Sequence, residues 1–506
     1  MAETMPRPSL WTKLVYGFGS IAFGTKDAGF NTFLLVYYNQ VLGVRASLVS
    51  LAAAAALVID AIADPLIGQI SDNWRSRLGR RHPFMYASAV PIALLYFALW
   101  NPPPWPAASL FPYLLVIAIL VRIAISLYEV PSTALTPELS PDYTERTTLL
   151  SFRWLFGALA SGVTVAVALT LFMRATKTQP FGILNAAGYL PYSIMAALLM
   201  FTSIVLSAAG THNRIRFMHQ IPPRKRTLLR TSAGEVLESI SHGSFLSVTF
   251  AAIFGGIAGG LVTALGTYIN TFFWKFTAGQ LAVLGGAAAI ALIVAVIIAP
   301  VITGLFGKKR GYMVTAVGSL LVNNIAITLK LFGYLETSDT NLLLAILFVT
   351  TATGLALAIS SLILVGSMIT DVVEDSQLRT GRRSEGLFSA AISFVAKATS
   401  GFGVLLSGLL IDYVHFPKHA SPLTIDPGVM RDLLFVYMPL QLALFAISIL
   451  CLTRYTIDRN THESNLKRLS DAAAMAESEA AGIHIENRSA QSAPSGPLRA
   501  AANSGA

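Results

Sequence analysis

The feature that most constrains this chain is a series of apolar segments, each long enough to cross a lipid bilayer as a helix. Such a crossing needs about 20 mostly apolar residues. The chain is 54% hydrophobic and 12% charged, whereas soluble proteins are usually about 25% charged. We therefore predict an all-α membrane protein with twelve transmembrane helices, at approximately 14–39, 46–70, 84–100, 109–138, 148–173, 189–210, 243–273, 279–304, 311–332, 342–371, 386–413 and 431–454.

The basic residues predict how these helices are oriented. If the N-terminus is cytoplasmic, the cytoplasmic segments hold 25 of the 36 Lys and Arg residues and the opposite loops hold six. This asymmetry follows the positive-inside rule, and it predicts both termini on the cytoplasmic side of the cell (inner) membrane. It also accounts for the net charge of +10, so we expect no nucleic-acid partner.

The order of the segments indicates two related halves. The loop at 68–81 follows the second span, and the segment at 304–311 follows the eighth, its counterpart; both place basic residues directly after a glycine. Repeated halves with a site between them are typical of secondary transporters. We predict an N-terminal six-helix half at 1–210, a cytoplasmic middle loop at 211–242, a C-terminal six-helix half at 243–455 and a disordered cytoplasmic tail at 456–506.

Ten ionisable residues lie within the predicted spans or near their ends, where a charge costs about 2.5–3.5 kcal/mol at the bilayer centre. They are Lys26, Asp27, Asp60, Asp64, Arg122, Glu129, Arg153, Lys330, Asp371 and Lys397. For Lys330 and Asp371, near helix ends, we expect a snorkelling side chain and an interfacial anchor. The mid-span members are expected to face the interior of the bundle or an aqueous cavity, with inter-helix salt bridges as the alternative.

Asp60 and Asp64 are the most informative of these charges. Four residues apart on a helix, they share one face at about 6 Å. Like charges that close do not both ionise without a bound cation or a shared proton. Pro65 removes a helical hydrogen bond beside them. We predict a cation or proton site at Asp60 and Asp64, in a cavity that Glu129 and Lys397 also line and to which Ser126 offers a neutral oxygen.

The remaining charges predict a polar cavity between the halves. Carboxylates and the rigid fork of an arginine bind hydroxyl-rich ligands well. We therefore expect Asp27, Glu129 and Arg153 to contact the substrate, with the neighbouring Trp154 as a possible aromatic platform. A separate gating role is expected for the loop residues Asp72, Arg77, Gly79, Arg80 and Arg81, with a purely topogenic basic cluster as the alternative.

Several stretches resemble the glycoside–pentoside–hexuronide:cation symporters of the major facilitator superfamily, which include melibiose permease. They include GTKDAGFNTFLLVYYNQVLG, VIDAIADPLIGQISDNWRSRLGRRHPF and DVVEDSQLRTGRRSEGLFSAAISFVAKATSG. The resemblance implies alternating-access symport. It also implies that Asp60 and Asp64 bind the coupling cation, that Asp27, Glu129 and Arg153 lie at the sugar, and that Lys397 is linked to the cation site.

Two positions depart from that pattern. Ala63 stands between the two acids where melibiose permeases carry Asn, and Thr133 stands where they carry an aromatic residue that stacks on the sugar. The first departure favours H+ over Na+ as the coupling ion, although both remain open. The second argues against a galactoside. A same-fold transporter of a lysolipid, organic anion or drug therefore remains an alternative cargo class.

Other functions find little support in the sequence. It contains no Walker A or HExxH motif, its single cysteine is Cys451, and its eight histidines lie in loops, helix ends or the tail. We therefore expect a transporter rather than an enzyme, with no metal centre and no cofactor besides the coupling ion. Its expected partners are a small-molecule substrate, in the first instance a sugar, and the lipid bilayer. We expect a monomer; a membrane sensor or membrane enzyme is the remaining alternative.

Overall fold

The computed structural model describes residues 7–140, 142–215, 243–335, 339–380 and 385–457, together with 461, 463–465, 467, 468, 470 and 471. Regular structure in this part of the chain is entirely helical, as predicted. Most of the predicted middle loop, 216–242, and the tail from 472 onwards lie outside the described residues. The division into two halves at that loop therefore stays a prediction.

The main helices follow the apolar segments of the sequence. They are α1 (Leu10–Phe18), α2 (Ile21–Ala28), α3 (Leu34–Val36), α4 (Ala46–Asn73), α5 (His82–Trp100), α6 (Leu110–Ala134), α7 (Thr136–Leu139), α8 (Tyr143–Val167), α9 (Tyr189–His212), α10 (Gly243–Tyr268), α11 (Ala278–Leu331), α12 (Thr340–Thr380), α13 (Glu385–Tyr413) and α14 (Pro427–Leu452).

Ten helices of the described chain are long and apolar enough to cross a membrane. One of them, α11, holds the eighth and ninth predicted spans, because Gly307 adopts φ +73° and breaks the helix between them. The first predicted span is assembled from α1, α2 and α3 with π-helical turns at Gly29–Phe33 and Tyr37–Val41. Together these elements account for the twelve predicted crossings. π-Helical turns are frequent at functional sites, and the first one directly follows Asp27.

The helices pack into one bundle. Among the first six spans, α1 and α2 pack on α8, α4 packs on α6, and α5 packs on α6 and α9. Among the last six, α10 packs on α13 and α14, and α11 folds back on α12. Helices α4 and α13 join the two groups. We name the end of the bundle with loop 74–81 the basic end, and the end with loop 414–426 the opposite end.

The crossing of α4 and α13 is unusually close because glycines line it. A Cβ atom added at Gly408 would lie 2.4 Å from the carbonyl oxygen of Ala46, and one added at Gly401 would lie 3.3 Å from another backbone oxygen of α4. Small residues let membrane helices approach in this way. Further along the same antiparallel pair, Lys397 of α13 meets Asp60 of α4. The crossing therefore positions the intramembrane charges.

Buried polar contacts join the two helix groups at the opposite end. The Tyr268 hydroxyl of α10 donates a hydrogen bond of 2.6 Å to the Asn39 side-chain oxygen. The adjacent Gln40 amide donates to the Pro417 carbonyl oxygen at 3.2 Å and accepts from the Ala420 backbone N–H at 3.0 Å. Asn39 and Gln40 are buried. These contacts close the bundle at its opposite end.

Helix α4 is less covered towards the basic end of the bundle. Helix α4 is mostly buried near Ala46, whereas Leu66 and Ile70, towards its other end, are each 54% exposed. The Asp64 and Lys397 side chains, midway along the crossing, are 27% and 31% exposed. Both charges of this ion pair are therefore partly exposed, in contrast to Asp60.

Replacing Gly408 with Ala should destabilise the protein, because the added methyl group would meet a backbone oxygen of α4. Overpacking of this kind typically costs about 1–3 kcal/mol. Thermal unfolding of the detergent-purified protein measures the effect. The matched control is Gly162→Ala, where an added Cβ meets no atom within 4 Å and helix propensity favours Ala. Equal melting temperatures for the two variants would contradict the prediction.

Candidate ion and substrate site

The structure brings together four of the residues predicted to form the cation site. Ser126 of α6 donates a hydrogen bond of 2.6 Å to Asp60 Oδ1. The Lys397 ammonium lies 3.0 Å from Asp60 Oδ2 and 2.5 Å from Asp64 Oδ2. Asp60 is only 2% exposed. Three elements, α4, α6 and α13, thus meet at one network of charge-assisted hydrogen bonds.

Lys397 resolves the like-charge problem that the acid pair creates. Two carboxylates on one helix face repel each other unless a positive charge lies between them, and the Lys397 ammonium occupies that place. Because Lys397 lies on α13 and the acids lie on α4, this ion pair also ties the last six spans to the first six. The charge state of the acids therefore affects the contact between the two helix groups.

The charge of Glu129 on α6 acts on two basic residues, Lys397 of α13 and Arg153 of α8. Within the described chain its carboxylate accepts no hydrogen bond, while its backbone carbonyl oxygen accepts one of 2.8 Å from the Thr133 hydroxyl. The role predicted for Glu129 at the cation and the substrate stays a prediction.

Arg153 is fixed within the first six spans. Its guanidinium donates to the hydroxyls of Ser132 at 2.5 Å and Thr133 at 2.9 Å, and it lies 5.2 Å from the centre of the Tyr16 ring. The Tyr16 hydroxyl donates in turn to the Ser132 carbonyl oxygen at 2.7 Å. Arg153 is 5% exposed. These contacts join α1, α6 and α8, and direct contact of Arg153 with a substrate stays a prediction.

The structure does not bring Trp154 into this group. It is 75% exposed and forms an outward apolar stripe with Leu155, Leu159 and Val163. Neighbouring helix positions point about 100° apart, because a turn contains 3.6 residues; burying Arg153 therefore turns Trp154 outward. The expected aromatic platform is absent from this position.

Asp27 lies on α2 beside Lys26. The two side chains form an ion pair of 2.9 Å, with the lysine buried and the carboxylate 41% exposed. The charge of Lys26 also acts on Asp60. Asp27 is therefore accessible, and it is connected to the acid pair through a lysine to which the sequence reasoning assigned no role.

The residues predicted to form the gate surround Arg81 at the basic end. The Arg81 guanidinium forms an ion pair with Asp72 and donates a hydrogen bond of 2.9 Å to the Ser71 hydroxyl. Glu138 of α7 binds both Arg81, at 3.3 Å, and Arg80, at 2.7 Å. Arg81 is 7% exposed. This network holds the loop between α4 and α5 against the end of α6.

Two other predicted gate residues have different environments. Gly79 adopts φ +77°, a conformation that a residue with a side chain rarely adopts. Arg77 is exposed and makes no ion pair or side-chain hydrogen bond with the described residues. The sequence assigned Glu138 no role, because it is the last residue of the predicted fourth span; in the structure that span ends at Ala134 and Glu138 lies on the separate helix α7.

A corresponding network lies in the last six spans, as the repeated glycine-basic segment indicated. Lys308, which follows the positive-φ Gly307, binds both Asp371 oxygens at 2.6 and 2.8 Å. Lys309 donates to the Thr453 and Tyr455 carbonyl oxygens at 2.6 and 2.8 Å. Asp371 is thus an anchor, as expected, but it lies within α12 rather than near its end, because the helix continues to Thr380.

The chain after α14 is packed rather than free at its start. Tyr455 donates a hydrogen bond of 3.1 Å to Asp371, and burial together with that carboxylate raises the pKa of the Tyr455 hydroxyl. Ile457 and Asn465 are also buried. The predicted disordered tail at 456–506 therefore differs from the structure in its first described residues, because Tyr455 and Ile457 extend an apolar cluster.

Lys330 behaves as a snorkelling side chain. Its ammonium donates to the Phe273 carbonyl oxygen at 2.9 Å and lies 4.6 and 4.5 Å from the ring centres of Phe273 and Trp274. These contacts are structural and distant from the acid pair. Across the described chain, no group of three or more His, Cys, Asp or Glu residues is placed to hold a metal ion.

Comparison with known proteins decides the family. Residues 15–459 match the sequence model of the family described as "MFS/sugar transport protein". The chain belongs to this family. It is a multi-pass membrane transporter of the major facilitator superfamily, and cation-coupled transport is consistent with its symporter relatives.

The relatives carry different cargoes. An isoprimeverose transporter of Lactiplantibacillus pentosus is 23% identical over 85% of each chain. A sodium-dependent lysophosphatidylcholine symporter of Danio rerio is 23% identical over 91% of this chain and 88% of that protein. An uncharacterized symporter of Synechocystis is 33% identical over 205 residues, which are 39% of this chain and 36% of that protein.

A solved structure supports the fold. The inward open conformation of the xylose transporter XylE from E. coli superposes with a TM-score of 0.58, covering 90% of this chain and 98% of that one at 16% identity. At this identity the likeness concerns the fold alone, which is the twelve-helix fold that the sequence predicts.

Removing an acid from the Arg81 network should slow transport turnover while leaving equilibrium substrate binding intact. Asp72 is 53% exposed and Glu138 only 12%. An exposed pair contributes about 0.2–1 kcal/mol, whereas breaking a buried one costs about 3–5 kcal/mol. We therefore expect Glu138→Gln to slow initial uptake more than Asp72→Asn, and Arg75→Gln, an exposed loop control, to change nothing. A large loss of binding affinity with normal turnover would contradict the gating role.

Proposed function

We propose that the protein is a symporter that carries a sugar or glycoside together with a cation across the cell (inner) membrane. It works by alternating access, as a monomer with both termini in the cytoplasm. The observation that carries the proposal is the bridge from Lys397, in the last six spans, to Asp60 and Asp64, in the first six. Charged pairs within a membrane are costly and usually mark ion or substrate pathways.

The bridge supplies a physical basis for coupling. A positive charge that arrives at the acid pair competes with the Lys397 ammonium for Asp64, the more exposed acid. Losing that partner weakens the contact between α4 and α13, which joins the helix groups. A ligand shifts a conformational equilibrium only through such a difference in interaction between two states. Cation binding is thereby linked to the movement of the helix groups.

A proton is the coupling ion that these contacts favour. Three of the four carboxylate oxygens of the pair already contact protein donors: Asp60 Oδ1 accepts from Ser126, and Asp60 Oδ2 and Asp64 Oδ2 accept from Lys397. A sodium ion needs several free oxygens, whereas a proton needs only one. The charged groups facing the pair are Lys397 of α13, Arg122 of α6 and Lys26 of α2, with Glu129 beyond Lys397.

A hydroxyl-rich cargo suits the remaining polar groups. The accessible carboxylate of Asp27 and the unoccupied carboxylate of Glu129 are acceptors for sugar hydroxyls, and Lys26 is a donor close to the first. The isoprimeverose transporter among the relatives supports a glycoside. The lysophosphatidylcholine symporter keeps a lipid as the second candidate.

Uptake into proteoliposomes tests the proposal. Pentosides, hexosides and hexuronides should accumulate when a proton gradient is imposed, more so as the external pH is lowered, and a protonophore should abolish accumulation. Replacing sodium with choline should have no effect. Accumulation of a lysolipid with no carbohydrate uptake would show that the cargo is a lipid rather than a sugar. The absence of gradient-driven movement for every solute would overturn symport.

Asp60→Asn and Asp64→Asn should each abolish concentrative uptake, because each removes a charge that holds Lys397. Exchange of substrate down its gradient should persist at reduced affinity, since coupling and binding are separate free energies. Gradient-driven and exchange assays on the same vesicles distinguish these effects. Asp432→Asn, an exposed carboxylate 4.0 Å from Arg431, is the control. Full accumulation by both site variants would make the pair structural.

A further inference from the structure

Arg122 is a buried intramembrane charge that the proposed transport cycle does not use. It lies on α6 one turn from Ser126, is 5% exposed, and places Nη1 3.6 Å from Asp60 Oδ2. Its guanidinium also lies 4.6 Å from the centre of the Phe30 ring. Asp60 is therefore approached by two protein cations, Lys397 and Arg122, from two different helices.

The charges at the acid pair balance without any bound ion. Asp60 and Asp64 carry two negative charges, and Lys397 and Arg122 carry two positive ones. Nearby, Lys26 and Asp27 neutralise each other. Any added cation therefore leaves one uncompensated positive charge in a medium of low dielectric constant, and must compete with Lys397 or Arg122 for an acid oxygen. A proton needs one such oxygen, whereas a sodium ion needs several, and three of the four oxygens already contact Ser126 or Lys397.

The contacts of Arg122 indicate that its charge, rather than its hydrogen bonds, is what it contributes. Its Nε is buried and has no hydrogen-bond partner within the described chain, which is unfavourable for a donor. The ion pair with Asp60 and the face of Phe30 are its compensating interactions. An arginine stays protonated at any physiological pH, so this positive charge is permanent, unlike one brought by an ion.

We propose that Arg122 is a built-in cation that excludes sodium from the acid pair and so restricts coupling to protons. This specificity-determining role rests on the proposed function of the site as a cation-coupling site. Arg122 occupies the position beside Asp60 Oδ2 that a metal ion would need. Lys397 remains the positive charge that can leave, because its side chain is 31% exposed.

Removing the charge of Arg122 should therefore admit sodium. In an Arg122→Gln variant the acid pair keeps two negative charges and one lysine, and Asp60 Oδ2 loses one cationic neighbour. The net negative charge and the freed oxygen attract a hard monovalent cation, which prefers oxygen ligands. The glutamine side-chain oxygen adds another ligand. Arg122→Lys keeps the charge and should keep sodium out.

The test is sodium binding to purified protein, which needs no transported cargo. Melting temperatures are measured in sodium and in choline chloride at equal ionic strength, since a ligand that binds only the folded state raises the melting temperature. Wild type and Arg122→Lys should show no difference between the salts. Arg122→Gln should melt several degrees higher in sodium, and a further Asp64→Asn change should remove that shift.

Two controls separate the proposal from general effects. Lys330→Gln removes another intramembrane cation, distant from the site, and should not create a sodium response. Arg122→Met tests the same charge removal with an apolar side chain, in case the glutamine variant does not fold.

Sodium stabilisation of the wild type would overturn the proposal, as would a folded, charge-free variant without any sodium response. Neither result depends on symport. If Arg122→Gln responds to sodium but the wild type takes up no carbohydrate, the proposed sugar cargo is wrong and the proposed role of Arg122 still holds.

Discussion

The ion pairs of Lys397 with Asp60 and Asp64 are the interaction on which the rest of the structure depends. They are possible only because α4 and α13 approach closely, which the glycines of α13 permit. Charges in the bilayer interior must be paired or hydrated, and here the pairing joins residues from the two helix groups. The ion pairs with Lys397 thus offset the desolvation free energy of the buried acids, and the same ion pairs hold the bundle in one conformation.

The contacts between the two helix groups differ between the two ends of the bundle. At the opposite end, Asn39 and Gln40 are fully buried against residues of the last six spans. Towards the basic end α4 is more exposed, and Asp64 lies on this side of Asp60. The ion pair lies between an end that buried polar contacts join and an end where α4 is less covered. Each hydrogen bond contributes only about 0.5–1.5 kcal/mol to stability. Breaking the contacts at one end and forming contacts at the other therefore exchanges interactions of similar free energy.

The sequence predicted the membrane fold, the span positions and the grouping of Asp60, Asp64, Ser126 and Lys397, because apolar length and the cost of intramembrane charge are strong local signals. It did not predict the other ion pairs around this group, those of Arg122 with Asp60 and of Lys26 with Asp27. Arg153 was expected to be open to substrate, yet hydroxyls of α6 surround it, and that burial turns Trp154 outward. Such contacts depend on helix rotation, which a single sequence with many small apolar residues leaves undetermined.

The paired glycine-basic turns explain where the bundle can move. Gly79 and Gly307 both adopt positive φ, so each places two basic residues back against its own group of spans. Arg80 and Arg81 bind Glu138 beyond the fourth span, and Lys308 binds Asp371 near the end of the tenth. Each brace lies within one helix group and resists internal rearrangement at the basic end. Under the proposed function, movement is concentrated at the contacts between the groups, and the Lys397 bridge is the contact that cation binding would weaken.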